Sequence, residues 1–222
     1  AFEQAGGLMN IYASEKTNRM LMGWEVPASW FQSLNAMFII IFGTVVAAYW
    51  AKRKLNGKLS TSLFKMILGL IIMGAGFFFM TGATAQLEST GTSAMYWLVL
   101  AYLLHTWGEL CLSPVGLSYV TKLSPGKIVG FMMGVWFLAT AGAEYIASLL
   151  ANIASLPPTA GDLDIEAAKG AYSGLFESLF YIGLVVGVLL LLASPLIKKM
   201  MHGIDDEGAD EIVEDDVAIL ID

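Results

Sequence analysis

Charge is scarce in this 222-residue chain, where 14% of residues are Asp, Glu, Lys or Arg, against about 25% in an average soluble domain. A surface meeting water on all sides needs more, so an ordinary soluble enzyme is excluded. A disordered chain is excluded too, because the apolar content is far too high for one. Bases are fewer than acids, twelve against nineteen, which leaves no basic nucleic-acid surface. Cys111 is the single cysteine and there are two histidines. An internal disulfide and a multi-cysteine metal site are therefore ruled out. Chemistry-bearing motifs are also lacking: no glycine-rich phosphate loop precedes a helix, and no Ser-His-Asp set or paired-aspartate motif is recognisable. Nor is a cleavable signal peptide recognisable in these residues.

What is present is apolar. Hydrophobic residues make up 57% of the chain and the mean hydropathy is +0.68. The net charge of −7 looks at odds with that until it is located. Nine carboxylates and no base fall between Asp205 and Asp222, so residues 1–204 carry +2. The acidity is a tail, of low complexity and expected to be disordered from residue 203 onward. It reads as either a solvated end or a partner site.

A bilayer core of about 30 Å needs roughly 20 apolar residues in a helix. Five stretches meet that need: Trp30–Trp50, Ser62–Thr81, Ala94–Thr121, Lys127–Ile153 and Ser173–Ile197. Each is apolar around its whole circumference rather than along one stripe, and helices are the form that satisfies the backbone in lipid. Ala1–Ser14 implies a sixth helix, too short to cross alone, so the chain reads as starting partway through a helix. Lys52, Arg53, Lys54, Lys58, Lys65, Lys122, Lys127, Lys198 and Lys199 fall on one side of this arrangement, and Lys16, Arg19 and Lys169 on the other. The nine-base side is predicted to be cytoplasmic, with the tail there. Trp24, Trp30, Tyr49, Trp50 and Trp97 lie near the predicted interfaces. The longest connection, Ala154–Tyr172, is expected to be an exposed non-cytoplasmic loop.

Two glycine series stand out. Gly126, Gly130 and Gly134 are spaced by four, as are Gly183 and Gly187. Small residues at that spacing let helix backbones approach closely, whether for static packing or as a surface on which a neighbour slides.

Ionisable residues inside a membrane are costly and mark function by default. Glu3, Glu109, Glu144 and Glu177 qualify. Glu109 falls near the middle of its span, with His105 and Ser113 one turn to either side and Pro114 expected to kink the helix beside it. A carboxyl there can bind an ammonium group or carry a proton. One His–Glu pair supplies too few ligands for a metal. On the next span Trp136, Thr140 and Glu144 share a face, with Phe137 adjacent, a combination that suits an amphipathic ligand. Asn35 lies two turns into the first complete span, one turn beyond Gln32. Glu144 and Glu177 read as residues near the membrane surface, and neither they nor His105 has an assigned role.

Several of these residues fall in segments with a family likeness. Phe2-Glu3-Gln4, the run from Trp30 to Asn35 (WFQSLN), the run from Gly108 to Ser118 (GELCLSPVGLS) and the run from Gly134 to Leu138 (GVWFL) resemble the proton-dependent oligopeptide transporters (POT), within the major facilitator superfamily. The likeness runs in order along the hydrophobic body and stops before the tail. The Glu-to-Ser-Pro stretch is its most specific part.

The resemblance implies an all-α polytopic membrane protein. The chain would be the C-terminal six-helix bundle of a major facilitator transporter, with a truncated first helix: residues 1–202 form the bundle and 203–222 the tail. It implies proton-coupled symport of di- and tripeptides by alternating access across the plasma membrane, with a bacterial inner membrane favoured by the short loops. The alternative is a carrier for another small solute such as nitrate, an organic acid or an amino acid derivative. By the same resemblance Glu109 receives the peptide's amino group, helped by Asn35 and Ser113, and Trp136, Phe137 and Thr140 line the side-chain pocket. Glu3 joins a gating and proton-coupling network with the N-terminal bundle. The implied partners are peptides, protons, the bilayer and that N-terminal bundle. No cofactor is implied beyond the proton.

Overall fold

Apolar runs with no water to bond their backbone close their hydrogen bonds internally, and among the described residues five of the six helices are long enough to cross a bilayer. The computed structural model describes residues 7–57, 61–154 and 163–200. Glu3, Lys58 and the acidic stretch from 203 lie outside them. The helices are α1 (Leu8–Lys16), α2 (Trp30–Leu55), α3 (Ser62–Thr90), α4 (Met95–Leu123), α5 (Val129–Ala154) and α6 (Leu163–Met200). At about 1.5 Å per residue, the 26 to 29 residues of α2 to α5 exceed the hydrocarbon thickness.

The expected loop across Ala154–Tyr172 is corrected by the structure, since α6 already begins at Leu163. Its first nine residues, LDIEAAKGA, are good helix formers of mixed polarity. They extend a helix without the hydropathy that marks a span, which starts at Tyr172. A second correction concerns Gly126, which sits in the turn before α5 and not on the helix with Gly130 and Gly134.

The inner helices are α3 and α4, with α2, α5 and α6 around them. Close approach depends on missing side chains. A Cβ at Gly69 would stand 2.6 Å from the Gly108 carbonyl oxygen, and one at Gly183 would stand 2.7 Å from Gly74 Cα. The α3–α4 and α3–α6 contacts are thus backbone against backbone, as small-residue membrane packing requires. Gly130 and Gly134 have nothing within 4 Å of such a Cβ among the described residues. The two glycine series therefore differ: the one on α6 is packed and the one on α5 is open.

One end of the bundle is tied by short strands. β1 (Thr17–Asn18), following α1, pairs in parallel with β4 (Ser93–Ala94) in the α3–α4 turn, and the Thr17 and Ser93 hydroxyls lie 3.2 Å apart. Gln86 Oε1 clamps the same turn, accepting the Ala94 backbone N–H at 2.9 Å and the Trp97 indole N–H at 2.8 Å. Between α1 and α2, β2 (Met20–Leu21) and β3 (Trp24–Glu25) form a hairpin. Its turn places both Met22 and Gly23 at positive φ, as a two-residue hairpin turn of matching twist demands. Arg19 closes the base through Glu25 at 2.6 Å and the Val26 carbonyl at 2.7 Å.

The opposite end holds Lys52, Arg53, Lys54 and Lys65. The Arg53 guanidinium and the Lys65 ammonium both stand over the Trp50 ring, at 6.0 and 5.4 Å. Among the described residues, Arg19 thus lies at one end and these four bases at the other. Trp24, Trp30 and Tyr49 are exposed, whereas Trp50 is buried beneath its cations and against Phe64.

Candidate functional site

Glu109 is the fifteenth of the 29 residues of α4 and hence its central one. The helix runs unbroken through Pro114. Glu109 is half-buried and faces α2, where the Asn35 carboxamide donates to Oε2 at 2.8 Å. Asn35 donates its other amide hydrogen to Thr106 Oγ1 at 3.2 Å. Thr106 is fully buried and its hydroxyl donates to the Tyr102 carbonyl at 2.8 Å. A polar knot of Asn35, Thr106 and Glu109 therefore joins α2 to α4 at mid-span. Sequence reading missed Thr106. It stands three residues before Glu109, a spacing that signals a shared side, but a threonine within an apolar helix reads as packing.

His105, Glu109 and Ser113 do not act together, although they follow one another at four-residue spacing. The His105 ring is buried against α3, beside Phe77 at 4.6 Å and over Gly76, where a Cβ would collide with it. Neither of its nitrogens has a hydrogen-bond partner among the described residues. Ser113 is exposed one turn beyond Glu109.

On α5, Trp136 is half-buried with its ring against Gly116 of α4, at a spot that any side chain on Gly116 would occupy. Gly116 lies seven residues beyond Glu109, about 10 Å along the helix. Phe137 is exposed, without a ring partner among the described residues. The Thr140 hydroxyl donates back to the Trp136 carbonyl at 3.3 Å. Glu144 and Glu177 are exposed. Glu3 lies outside the described residues. The structure thus brings Asn35 to Glu109, and Trp136 to α4 two turns away. Neither Phe137 nor Thr140 forms a hydrogen bond to Asn35 or Glu109.

The arrangement is a mid-membrane carboxylate held by a carboxamide, with an aromatic wall about two turns along. The model of the POT family matches residues 1–172. The chain belongs to the POT family. Among its relatives, "Uncharacterized transporter YclF" of Bacillus subtilis is 36% identical over 91% of this chain and 38% of its own length. "Peptide transporter YePEPT" of Yersinia enterocolitica is 41% identical over 68% of this chain and 30% of its own. "Dipeptide and tripeptide permease A" of Erwinia pyrifoliae is 33% identical over 86% and 38%. The chain therefore spans well under half the length of these relatives.

Solved structures agree on the fold. A peptide transporter POT in complex with sulfate superposes with a TM-score of 0.74 at 34% identity, covering 89% of this chain and 37% of that one. A POT family transporter in complex with 5-aminolevulinic acid gives a TM-score of 0.69 at 27% identity, covering 88% and 38%. This POT chain is accordingly an all-α, multi-pass membrane protein of a transporter family.

Proposed function

We propose that the full protein is a proton-coupled symporter of di- and tripeptides working by alternating access, with this chain as its C-terminal six-helix bundle. The observation that carries this reading is the Asn35–Glu109 pair at the centre of α4. A carboxylate there attracts an ammonium group and repels nitrate and organic anions. Gly116, against which Trp136 packs, lies about 10 Å along α4 from Glu109, a rise comparable to the length of about 7–11 Å of an extended di- or tripeptide. The names of the Yersinia and Erwinia relatives point to the same substrates.

In this reading Glu109 receives the peptide amino group, with Asn35 and Ser113 beside it, and Trp136, Phe137 and Thr140 face the peptide side chain. Glu3 contributes to the gate and to proton coupling against the N-terminal bundle. Two halves rocking about a midplane site complete the cycle, so the protein is a carrier rather than an enzyme and needs no cofactor besides the proton. The end bearing Lys52, Arg53, Lys54 and Lys65 faces the cytoplasm by the positive-inside rule, together with the acidic tail, in a bacterial inner membrane. A second reading, a carrier for an amino acid derivative, draws on the relative solved with 5-aminolevulinic acid.

The test is uptake of a labelled dipeptide by the full-length protein in liposomes under an inward proton gradient. Accumulation that collapses with the gradient and is competed by unlabelled di- and tripeptides supports the proposal. Competition by nitrate, or by 5-aminolevulinic acid but not peptides, overturns it.

A further inference from the structure

Asn35 has two amide hydrogens and one carbonyl oxygen, and its neighbours dictate which way the group points. Glu109 Oε2, at 2.8 Å, accepts. The Thr106 hydroxyl has a single proton, directed to the Tyr102 carbonyl at 2.8 Å, so towards Asn35 it too can only accept. Both neighbours therefore require the NH2 side. A flipped amide would set its oxygen against a carboxylate oxygen and a hydroxyl oxygen whose proton is already used. Thr106 is fully buried, so water does not substitute for it. With both N–H groups engaged, Asn35 Oδ1 is left as the open acceptor of the same carboxamide that Glu109 holds.

We propose that Thr106 is a positioning residue that locks the Asn35 carboxamide, so that Asn35 Oδ1 and Glu109 together present a two-acceptor seat for the N–H donors of a substrate ammonium. Thr106 itself does not touch the substrate. It sets selectivity by fixing which face of an amide a ligand meets. This rests on the reading of Glu109 as the amino-group site and adds the device that orients it. Without the Thr106 oxygen, one Asn35 N–H loses its acceptor and the amide is free to turn that hydrogen towards the seat, where it opposes an ammonium.

The test compares binding of a dipeptide and its des-amino analogue to the full-length protein in detergent, using wild type and Thr106→Val, Thr106→Ala and Thr106→Ser. The wild-type preference for the amino-bearing ligand is expected to fall about tenfold in the Val and Ala variants, the scale of one hydrogen bond at a charged site. Thr106→Ser, which keeps the hydroxyl, is expected to stay within about twofold, since the same bond remains. A purely structural threonine would weaken both ligands together and leave their ratio unchanged, and that result overturns the proposal. The Ala variant, which removes atoms without adding any, serves where Val fails to fold. A wild type with no preference for the amino group overturns the peptide reading together with this one. A selective wild type whose selectivity survives in the Val and Ala variants overturns this inference alone.

Discussion

Replacing Glu109 with Gln in the full-length protein is expected to lower proton-driven dipeptide uptake by about 100-fold and to abolish accumulation against a gradient. The size follows from the charge-assisted bond that Gln cannot offer an ammonium. A hydrogen bond to a charged group is worth about 1.5–3 kcal/mol, and about 2.8 kcal/mol is a hundredfold in affinity. Gln keeps the shape of Glu and can still accept from Asn35 Nδ2, so the knot between α2 and α4 survives. On the proposed function, what disappears is the charge that would meet an ammonium and the group that would take up a proton. Thermal unfolding close to wild type, combined with failed uptake, would locate the defect in the site. Undiminished uptake by Glu109→Gln would remove Glu109 from both roles.

The second large effect concerns assembly. Gly183→Leu is expected to destabilise the protein by about 3 kcal/mol or more, the upper range for overpacking, while Gly130→Ala has little effect. At Gly183 the first added atom meets backbone, 2.7 Å from Gly74 Cα, and no rotamer of a neighbour can relieve that. α6 must then move away from α3, and the packing of Gly187 against Ile71 goes with it. Gly130 meets nothing within 4 Å among the described residues. Thermal unfolding of the full-length protein in detergent decides the matter. Equal midpoints for the two variants would contradict the packing described for α3 and α6.

These two positions illustrate what is legible in the residues alone. The five spans can be read directly because each is apolar all round, and Glu109 stands out because a carboxyl at mid-span violates that pattern. Pairwise geometry is not legible. Both glycine series carry the same spacing, and only the fold tells that Gly183 abuts Gly74 while Gly130 and Gly134 abut nothing described. The early start of α6 at Leu163 is hidden because Asp164, Glu166 and Lys169 erase the hydropathy signal while leaving helix propensity intact. The hairpin around Met22 and Gly23 escapes detection because two-residue strands leave almost no periodicity.

The candidate site follows the same division. Asn35 and Glu109 are separately conspicuous as polar groups in apolar helices, and their 2.8 Å hydrogen bond requires the fold. His105 shares the spacing of Glu109 yet turns to Gly76 and Phe77, because a stripe of four-residue steps is wide enough to straddle two neighbouring helices. Thr106, a hydroxyl that bonds back to its own helix, gives no outward sign of its second bond to Asn35.

On the proposed function, the acid and amide joined between α2 and α4 recognise a peptide by its amino group. The most direct measurement is the affinity of the full-length protein for a dipeptide compared with the same dipeptide acetylated at its amino group, by calorimetric titration in detergent. The free dipeptide is expected to bind, and acetylation to weaken binding about 10- to 100-fold, the cost of removing charge-assisted bonds to Glu109. Equal affinity for the two ligands would contradict it.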